Sequence, residues 1–170
     1  AISVHGGSGF IMEYKCQRLF RDARIFSIYE GTTQLQVVAA IRYVTNGTYL
    51  GIIKEMLEKE VAPEFQALKE RVAKMVEKYE DAINYVKAAG NNDLHDFLAR
   101  RLYEMTAEII MSLLILDDAT RAPELFAKSA NVYVRYAEGT VAGHYAYIKE
   151  FKAEDLADFL AAAPEEAPAE

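Results

Sequence analysis

Residues 65–86 read FQALKERVAKMVEKYEDAINYV, and this stretch decides the fold class. Its apolar side chains recur at alternating steps of three and four residues. They are Phe65, Leu68, Val72, Met75, Tyr79, Ala82 and Val86. This spacing places them along one stripe of an α-helix, as in a helix that packs in an antiparallel bundle. The stretch therefore predicts a long amphipathic helix with one buried face.

Two further segments extend the helical pattern. The segment from Leu94 to about Asp117 begins amphipathic and turns apolar on all sides over residues 109–116, which predicts a centrally buried helix. Asp93 is a candidate N-cap for it. After Pro123 an apolar and aromatic stripe predicts a last long helix. The members of that stripe are Phe126, Ala130, Tyr133, Ala137, Thr140, His144, Tyr147 and Phe151.

The whole chain is predicted to be all-α, with about four long helices in an up-down bundle. We predict three regions. Residues 1–46 form a short helix-loop-helix segment, residues 47–162 form the helical bundle, and residues 163–170 form a disordered tail rich in Ala, Pro and Glu. Within the first region we expect one helix from Met12 to Arg24 and another from Thr32 or Thr33 to Tyr43.

Composition excludes several classes of function. The chain has 26 acidic and 19 basic side chains, so it lacks the basic surface that nucleic-acid binding needs. No apolar run approaches the ~20 residues that span a bilayer, and no helix has a basic amphipathic face, so no membrane association is expected. Cys16 is the only cysteine, which favours a reducing, cytoplasmic location. The three His lack metal-binding spacing, so no metal site is predicted.

The most unusual local sequence surrounds Glu30. This residue stands directly before Gly31, where the helical pattern is interrupted, and just ahead of a predicted helix N-terminus. Free backbone N–H groups there, with the hydroxyls of Thr32 and Thr33, suit an anion such as a pyrophosphate. A carboxylate between apolar neighbours could act as a base. On the pattern alone, however, a Glu near a helix start is more often a capping or dipole partner.

Four short motifs in order resemble the C-terminal end of an acyl-CoA dehydrogenase. They are His5-Gly6-Gly7-Ser8-Gly9-Phe10, Glu13-Tyr14, Arg21-Asp22-Ala23-Arg24-Ile25 and the run IYEGTTQLQ at residues 28–36. The resemblance covers about the first quarter of the chain. The bundle after it resembles, less specifically, the extra C-terminal helical domain of some larger bacterial members. The resemblance implies a flavoprotein that oxidises an acyl-CoA thioester to the 2,3-enoyl-CoA.

What the resemblance implies for Glu30 is the role of catalytic base, which removes the α-proton while the β-hydride passes to FAD. Gly31 matches the residue that lies against the bound thioester. Thr32, Thr33 and Gln34 match positions that contact FAD. The segment that reaches the ADP half of FAD in a neighbouring subunit is matched by Ser3, Val4, His5, Gly6 and Gly7, although the family usually has Gln in place of Ser3.

Further expectations follow from the same resemblance. The electron acceptor is an electron-transfer flavoprotein, and the parent enzyme is a homodimer or homotetramer because the ADP segment crosses between subunits. We expect the chain to be a piece of a longer protein that is inactive alone and does not retain FAD. The alternative is a non-catalytic helical interaction or oligomerisation domain with an inherited motif.

Several other features have ordinary structural interpretations. Glu138-Gly139-Thr140 repeats three letters of the Glu30 motif inside a periodic helix, and we interpret it as a coincidence. His144 is predicted to be a satisfied core histidine. The tyrosines of the last helix are predicted to pack in a core rather than to line a ligand groove; they are Tyr133, Tyr136, Tyr145 and Tyr147. Arg21, Asp22 and Arg24 are as consistent with structural ion pairs as with a site.

Overall fold

A computed structural model describes residues 2–159, and over this range the chain is helical with no β-strand. The predicted all-α class is therefore confirmed. The chain divides into two compact units, Ala1–Ala39 and Ala40–Glu170. The predicted tail at residues 163–170 and the last residues of the predicted bundle lie outside the described range.

The first unit contains short helical elements. Two 3-10 turns lie within Ile2–Gly9, separated by a kink at Gly6, where φ is 56°. Helix α1 spans Lys15–Arg24. It begins later than the predicted Met12 because Tyr14 is extended, with ψ at 141°, and the residues before it form hydrogen-bonded turns. The Cys16 thiol is buried and donates to the Gly9 carbonyl at 3.5 Å, which holds α1 against the 3-10 segment.

A 3-10 turn at Ile25–Ser27 follows α1, and helix α2 then spans Thr33–Thr45. Only Asn46 and Gly47 separate α2 from helix α3, Thr48–Glu58. The left-handed φ of 92° at Gly47 suits a residue without a Cβ, and the Asn46 carboxamide oxygen accepts from the Thr48 backbone N–H at 2.9 Å. The predicted boundary between residues 46 and 47 stays a prediction; the two compact units divide earlier, within α2 between Ala39 and Ala40.

The second unit is built on three long helices, α4 (Gln66–Ala88), α5 (Asn92–Arg121) and α6 (Pro123–Glu150), which all pack against one another. Helix α3 packs on α4 and α5. All seven predicted stripe residues of the 65–86 stretch are buried, which confirms the helix and its face. The N-cap of α5 is Asn91, whose side chain accepts from the Leu94 N–H at 3.0 Å, so the prediction of Asp93 is wrong.

In α5 and α6 the buried face differs from the predicted one. Helix α5 is not buried all round: Met111 and Leu114 are 50% and 44% exposed, because α3, α4 and α6 leave one side of it uncovered within the described residues. The buried stripe of α6 is also rotated from the predicted one. Its members are Ala130, Val134, Ala137, Val141 and Ile148. The larger Tyr133, His144 and Tyr147 lie half-buried at its border.

Candidate functional site

Glu30 lies in a strained turn directly before α2. Its φ is 53°, and among residues 2–159 it is the one non-glycine residue with positive φ. Gly31, with φ at 109°, continues the turn. The Gln36 amide, in the first turn of the helix, donates from Nε2 to the Glu30 carbonyl at 2.8 Å. This hydrogen bond ties the turn to the helix and leaves the Glu30 carboxylate exposed.

The N-terminus of α2 is capped by Thr32. Its hydroxyl accepts from the Leu35 N–H at 3.5 Å, at the spacing of a helix N-cap. Thr33 and Gln34 form the exposed first turn, so their hydroxyl and amide face solvent. The N–H groups of Glu30 and Gly31 donate to no other group in the described part of the chain. The start of α2 therefore carries free backbone donors and exposed polar side chains within a few residues of Glu30 in the chain.

The second group of predicted site residues lies in the 3-10 segment. Ser3, Val4, His5, Gly6 and Gly7 are all exposed, and a Cβ added at either glycine would meet nothing within 4 Å. The backbone there is therefore open to a ligand. The segment borders an open groove of about 740 Å³ whose wall includes Phe10 and Phe20.

The predicted residues thus fall into two groups. Residues 30–34 converge on the start of α2, whereas residues 3–7 lie on the segment that packs against α1. No hydrogen bond or ion pair joins the two groups within residues 2–159. The role of Gln36 was not predicted, although its position six residues after Glu30, with α2 beginning between them, is the signal that points to it.

The other singled-out side chains have partners of their own. Glu138 lies within α6 and pairs with Arg71 at 2.5 Å. Asp22 pairs with Arg18 at 3.5 Å on the surface of α1, rather than with Arg21 or Arg24. His144 is half-buried, with Nε2 at 3.1 Å from Glu104 and Nδ1 at 3.5 Å from Arg101, as expected for a satisfied core histidine.

The four tyrosines of α6 do not share one environment. Tyr145 donates to Asp81 at 2.7 Å, and Tyr147 stacks on Phe151. Tyr133 donates to Glu108 at 2.8 Å; burial, followed by this hydrogen bond, raises the pKa of Tyr133 to about 12. Tyr136 is 63% exposed, so the expectation of a packed core is wrong for it.

Residues 2–159 lack two further features. They contain no group of three or more His, Cys, Asp or Glu side chains arranged to hold a metal ion. In the same range, none of the helices combines the length and the apolar character that a bilayer crossing requires.

Comparison with known proteins assigns both parts of the chain to one class, the C-terminal helical regions of acyl-CoA dehydrogenases. Residues 45–156 match the family described as "Acyl-CoA dehydrogenase C terminal", and residues 1–44 match "Acyl-CoA dehydrogenase, C-terminal domain". The first match alone covers more than half of the chain. The chain therefore belongs to the acyl-CoA dehydrogenase family, and it represents a C-terminal part of it.

Individual relatives support the same conclusion. A crystal structure of an acyl-CoA dehydrogenase family protein from Porphyromonas gingivalis is 38% identical with a TM-score of 0.63, and the match covers 67% of this chain and 98% of that one. A butyryl-CoA dehydrogenase from Syntrophomonas wolfei is 29% identical over 72% of this chain and 22% of its own length. The caffeyl-CoA reductase-Etf complex subunit CarC from Acetobacterium woodii is 58% identical over 36 residues, which are 21% of this chain and 10% of that subunit.

Proposed function

We propose that the chain is the C-terminal part of a flavin-dependent acyl-CoA dehydrogenase that interconverts an acyl-CoA and its 2,3-enoyl-CoA, with Glu30 as the base. We infer oxidation as the working direction, as in the relative named butyryl-CoA dehydrogenase, whereas the relative named caffeyl-CoA reductase is named for a reduction. Because the chain spans only a tenth to about a fifth of these two proteins, the activity belongs to a longer polypeptide.

The observation that carries this proposal is the left-handed conformation of Glu30. A non-glycine residue at positive φ costs about 1–3 kcal/mol and persists only where surrounding contacts hold it. Here the Gln36 amide supplies such a contact, at 2.8 Å from the Glu30 carbonyl. A capping or dipole partner would need no such strain. Strained residues of this kind cluster at active sites, so the geometry favours a catalytic Glu30.

The chemistry needs a carboxylate in this setting. An α C–H beside a thioester is a weak acid, so its removal requires a positioned base and hydrogen-bond donors on the thioester oxygen. The Glu30 N–H points to no other described acceptor and is free to donate to that oxygen. Gly31 allows the tight turn beside the carboxylate, because its φ of 109° suits glycine and an added Cβ would lie 3.3 Å from Leu35.

The polar groups present fit a flavin nucleotide. The exposed Thr33 hydroxyl, the Gln34 amide and the first-turn N–H groups of α2 suit its polar edges or phosphates, and the open backbone at Gly6 and Gly7 allows close approach of its ADP half. When bound, FAD accepts the β-hydride. The chain's own residues orient the thioester and remove the α-proton.

We further propose the partners of the longer protein. An electron-transfer flavoprotein fits as redox partner, since one relative is named as the subunit of a reductase-Etf complex. A homodimer or homotetramer fits a FAD site that uses residues 3–7 from a neighbouring subunit. The 170-residue chain alone is proposed to be inactive, because a base without a positioned flavin and acyl pocket has little rate advantage.

The test uses the longer parent protein with bound flavin and follows bleaching of the flavin absorbance by acyl-CoA. We expect Glu30→Gln to retain flavin and to slow bleaching by about 10²–10⁴-fold, the contribution typical of a general base. The matched control is Glu13→Gln, an exposed Glu of the same unit, which should bleach at the wild-type rate.

Two results would contradict the proposal. Equal bleaching rates in wild type and Glu30→Gln would remove Glu30 as the base. A wild-type parent that binds no flavin would instead favour the alternative, a helical interaction domain with an inherited motif. A Gln36→Leu variant of the parent tests the positioning of Glu30 without removing its carboxylate. It should slow bleaching less than Glu30→Gln does, because the carboxylate remains and only the hydrogen bond that holds its turn is lost.

A further inference from the structure

Arg101 in α5 differs from the other arginines of the chain. Among residues 2–159 it is the one arginine that is half-buried and has no carboxylate partner. Arg71, which is also half-buried, is paired with Glu138. A guanidinium that is partly removed from water normally has an anion beside it, because the loss of hydration disfavours an isolated charge. Arg101 therefore lacks the partner that its position requires.

The neighbours of Arg101 hold its side chain but do not neutralise it. The guanidinium carbon lies 3.4 Å from the centre of the Tyr147 ring, which fixes the plane of the group. Its Nη1 lies 3.5 Å from Nδ1 of His144. Burial lowers the pKa of His144, so the ring is neutral near pH 7 and Nδ1 can accept from Arg101. A neutral ring leaves the charge of Arg101 unbalanced.

The carboxylates that follow Arg101 in α5 have other partners. One oxygen of Glu104 accepts from Nε of Arg100 at 2.9 Å, and the other lies 3.1 Å from Nε2 of His144. Glu108 accepts a tyrosine hydroxyl at 2.8 Å. Nε and Nη2 of Arg101 form the edge that binds a carboxylate through two parallel hydrogen bonds. Within the described ranges this edge donates to no other group.

An open hollow of about 160 Å³ lies beside this side chain, and we call it the Arg101 hollow. Its lining residues are Phe97, Arg100, Arg101 and Glu104. The hollow is smaller than the roughly 300–1,000 Å³ of pockets for cofactors and drug-sized ligands. It has room for several water molecules or for a small organic acid. Its wall joins two cationic side chains to one aromatic ring.

We propose that the Arg101 hollow binds a small organic carboxylate, whose charged group pairs with the open edge of Arg101 and whose apolar body packs on Phe97. The Phe97 ring is held in place by two other rings. Its centre lies 4.7 Å from that of Phe151 and 4.9 Å from that of Phe159. The ring therefore offers a fixed apolar wall to a ligand.

The charges around the hollow favour a monoanion. With a neutral His144, the side chains of Arg100, Arg101 and Glu104 sum to one positive charge, in a chain whose net charge is -7. A carboxylate balances this charge. Phosphate carries more negative charge and has no apolar body, and Glu104 in the wall repels it. The site therefore selects for one carboxylate joined to apolar carbon.

The first experiment titrates the ¹⁵N-labelled 170-residue chain with sodium benzoate at constant ionic strength and about pH 7, followed by NMR. We expect saturable shifts of the Arg101 Nε–H signal and of the amides of residues 97–104. A single bidentate pair in a partly open site predicts a dissociation constant on the order of 1 mM. Benzamide, which has the same shape without the charge, should bind at least tenfold more weakly. Acetate and inorganic phosphate should also bind more weakly than benzoate.

The second experiment repeats the titration on variants. Arg101→Gln should weaken benzoate binding at least tenfold, and Arg101→Lys severalfold, because Lys keeps the charge but not the two-donor edge. Phe97→Leu should weaken the binding of benzoate but not that of acetate. Arg135→Gln is the matched control, since Arg135 is an exposed arginine of α6, and it should bind benzoate as wild type does. Thermal melts show that each variant is folded.

Four results would overturn the proposal. The first is the absence of saturable shifts up to about 20 mM benzoate. Equal affinity for benzamide would mean that apolar contact alone drives binding. Equal weakening by Arg101→Gln and Arg135→Gln would mean that binding follows net charge. Binding that appears only after Glu165→Gln and Glu166→Gln would assign Arg101 to acidic side chains of the chain itself.

Discussion

The two units of this chain differ in how much of their apolar surface they bury. In the second unit α4, α5 and α6 together bury a continuous core that includes Tyr79, Leu102 and Ile148. In the first unit only Gly9, Cys16 and Val37 are buried among residues 2–39. Large side chains there remain in solvent, with Val4 and Phe10 each 90% exposed. The unit that carries the predicted catalytic residue therefore has almost no core.

This difference shows that the geometry of the Glu30 turn and the stability of the bundle have different physical origins. The bundle can bury enough apolar area to offset its conformational entropy, whereas a segment of about 40 residues with three buried positions cannot. The turn at Glu30 is held locally by Thr32 and Gln36. Exposed apolar side chains in this number are typical of a surface that packs against another part of a protein.

The largest expected effect contrasts two leucines. Leu102 is fully buried in α5, so Leu102→Ala should destabilise the bundle by about 2–5 kcal/mol and lower its melting temperature by roughly 10 °C or more. Leu19, in α1, is 65% exposed, so Leu19→Ala should change the melting temperature by less than about 2 °C. Thermal unfolding followed by circular dichroism measures both. Equal losses would mean that the first unit shares the bundle's core.

A smaller effect is expected from a buried polar pair in the same core. The Thr106 hydroxyl lies 2.8 Å from the Tyr79 hydroxyl and 2.9 Å from the Leu102 carbonyl, and burial raises the pKa of Tyr79 to about 12. Tyr79→Phe should cost about 1–2 kcal/mol, because it removes one partner of a buried hydrogen bond. Tyr43→Phe, on an exposed tyrosine of α2, is the control in urea unfolding. No loss in Tyr79→Phe would show that the Thr106 hydroxyl is satisfied by the Leu102 carbonyl alone.

Periodicity in the sequence predicted the bundle well, because the seam of α4 is set by the chain itself. Phe65, Val72 and Tyr79 recur at helical steps and are all buried. The same periodicity did not predict which face of α6 is buried. Two adjacent faces of this helix are equally apolar, and its packing against α4 and α5 decides which of them is buried. The pattern failed at Asp93 because Asn91 and Asp93 are both good caps, and only the loop conformation decides.

The sequence predicted the residues of the candidate site but not the conformation of its turn. The short motif at residues 28–36 led to Glu30 and Gly31, and the sequence offered Thr32 or Thr33 as the helix cap, of which the structure has Thr32. The strain at Glu30 and the hydrogen bond from Gln36 were not predictable, because they depend on the dihedral angles of one turn. The roles of Ser3, His5 and the other predicted contacts remain predictions, because they concern ligands and neighbouring subunits.

Helix caps give a third and smaller contrast between the units. Asn91→Ala should lower the stability of the bundle by about 0.5–2 kcal/mol, because its side chain caps a 30-residue helix of the core. Thr32→Ala removes the equivalent cap of α2, but its hydrogen bond is long, at 3.5 Å, and exposed. The bundle's melting temperature should therefore stay unchanged in Thr32→Ala. Amide exchange at Leu35 should instead become faster, while a fall in melting temperature would link the two units cooperatively.

The smallest expected effect is a pH dependence confined to the bundle. Burial lowers the pKa of His144 below its ordinary value of 6.5, although the Glu104 carboxylate opposes this shift. The folded bundle therefore binds the His144 proton less readily than the unfolded chain does. The stability from the neutral ring is complete above about pH 6.5 and declines as the pH falls from there toward the lower pKa of the folded state.

His144→Gln cannot titrate, so its melting temperature should fall less than that of wild type between pH 7.5 and 5.5. An NMR titration of the His144 ring measures the same shift directly. A midpoint above 6.5 would mean that Glu104 outweighs burial, and stability would then rise rather than fall over this pH range on acidification.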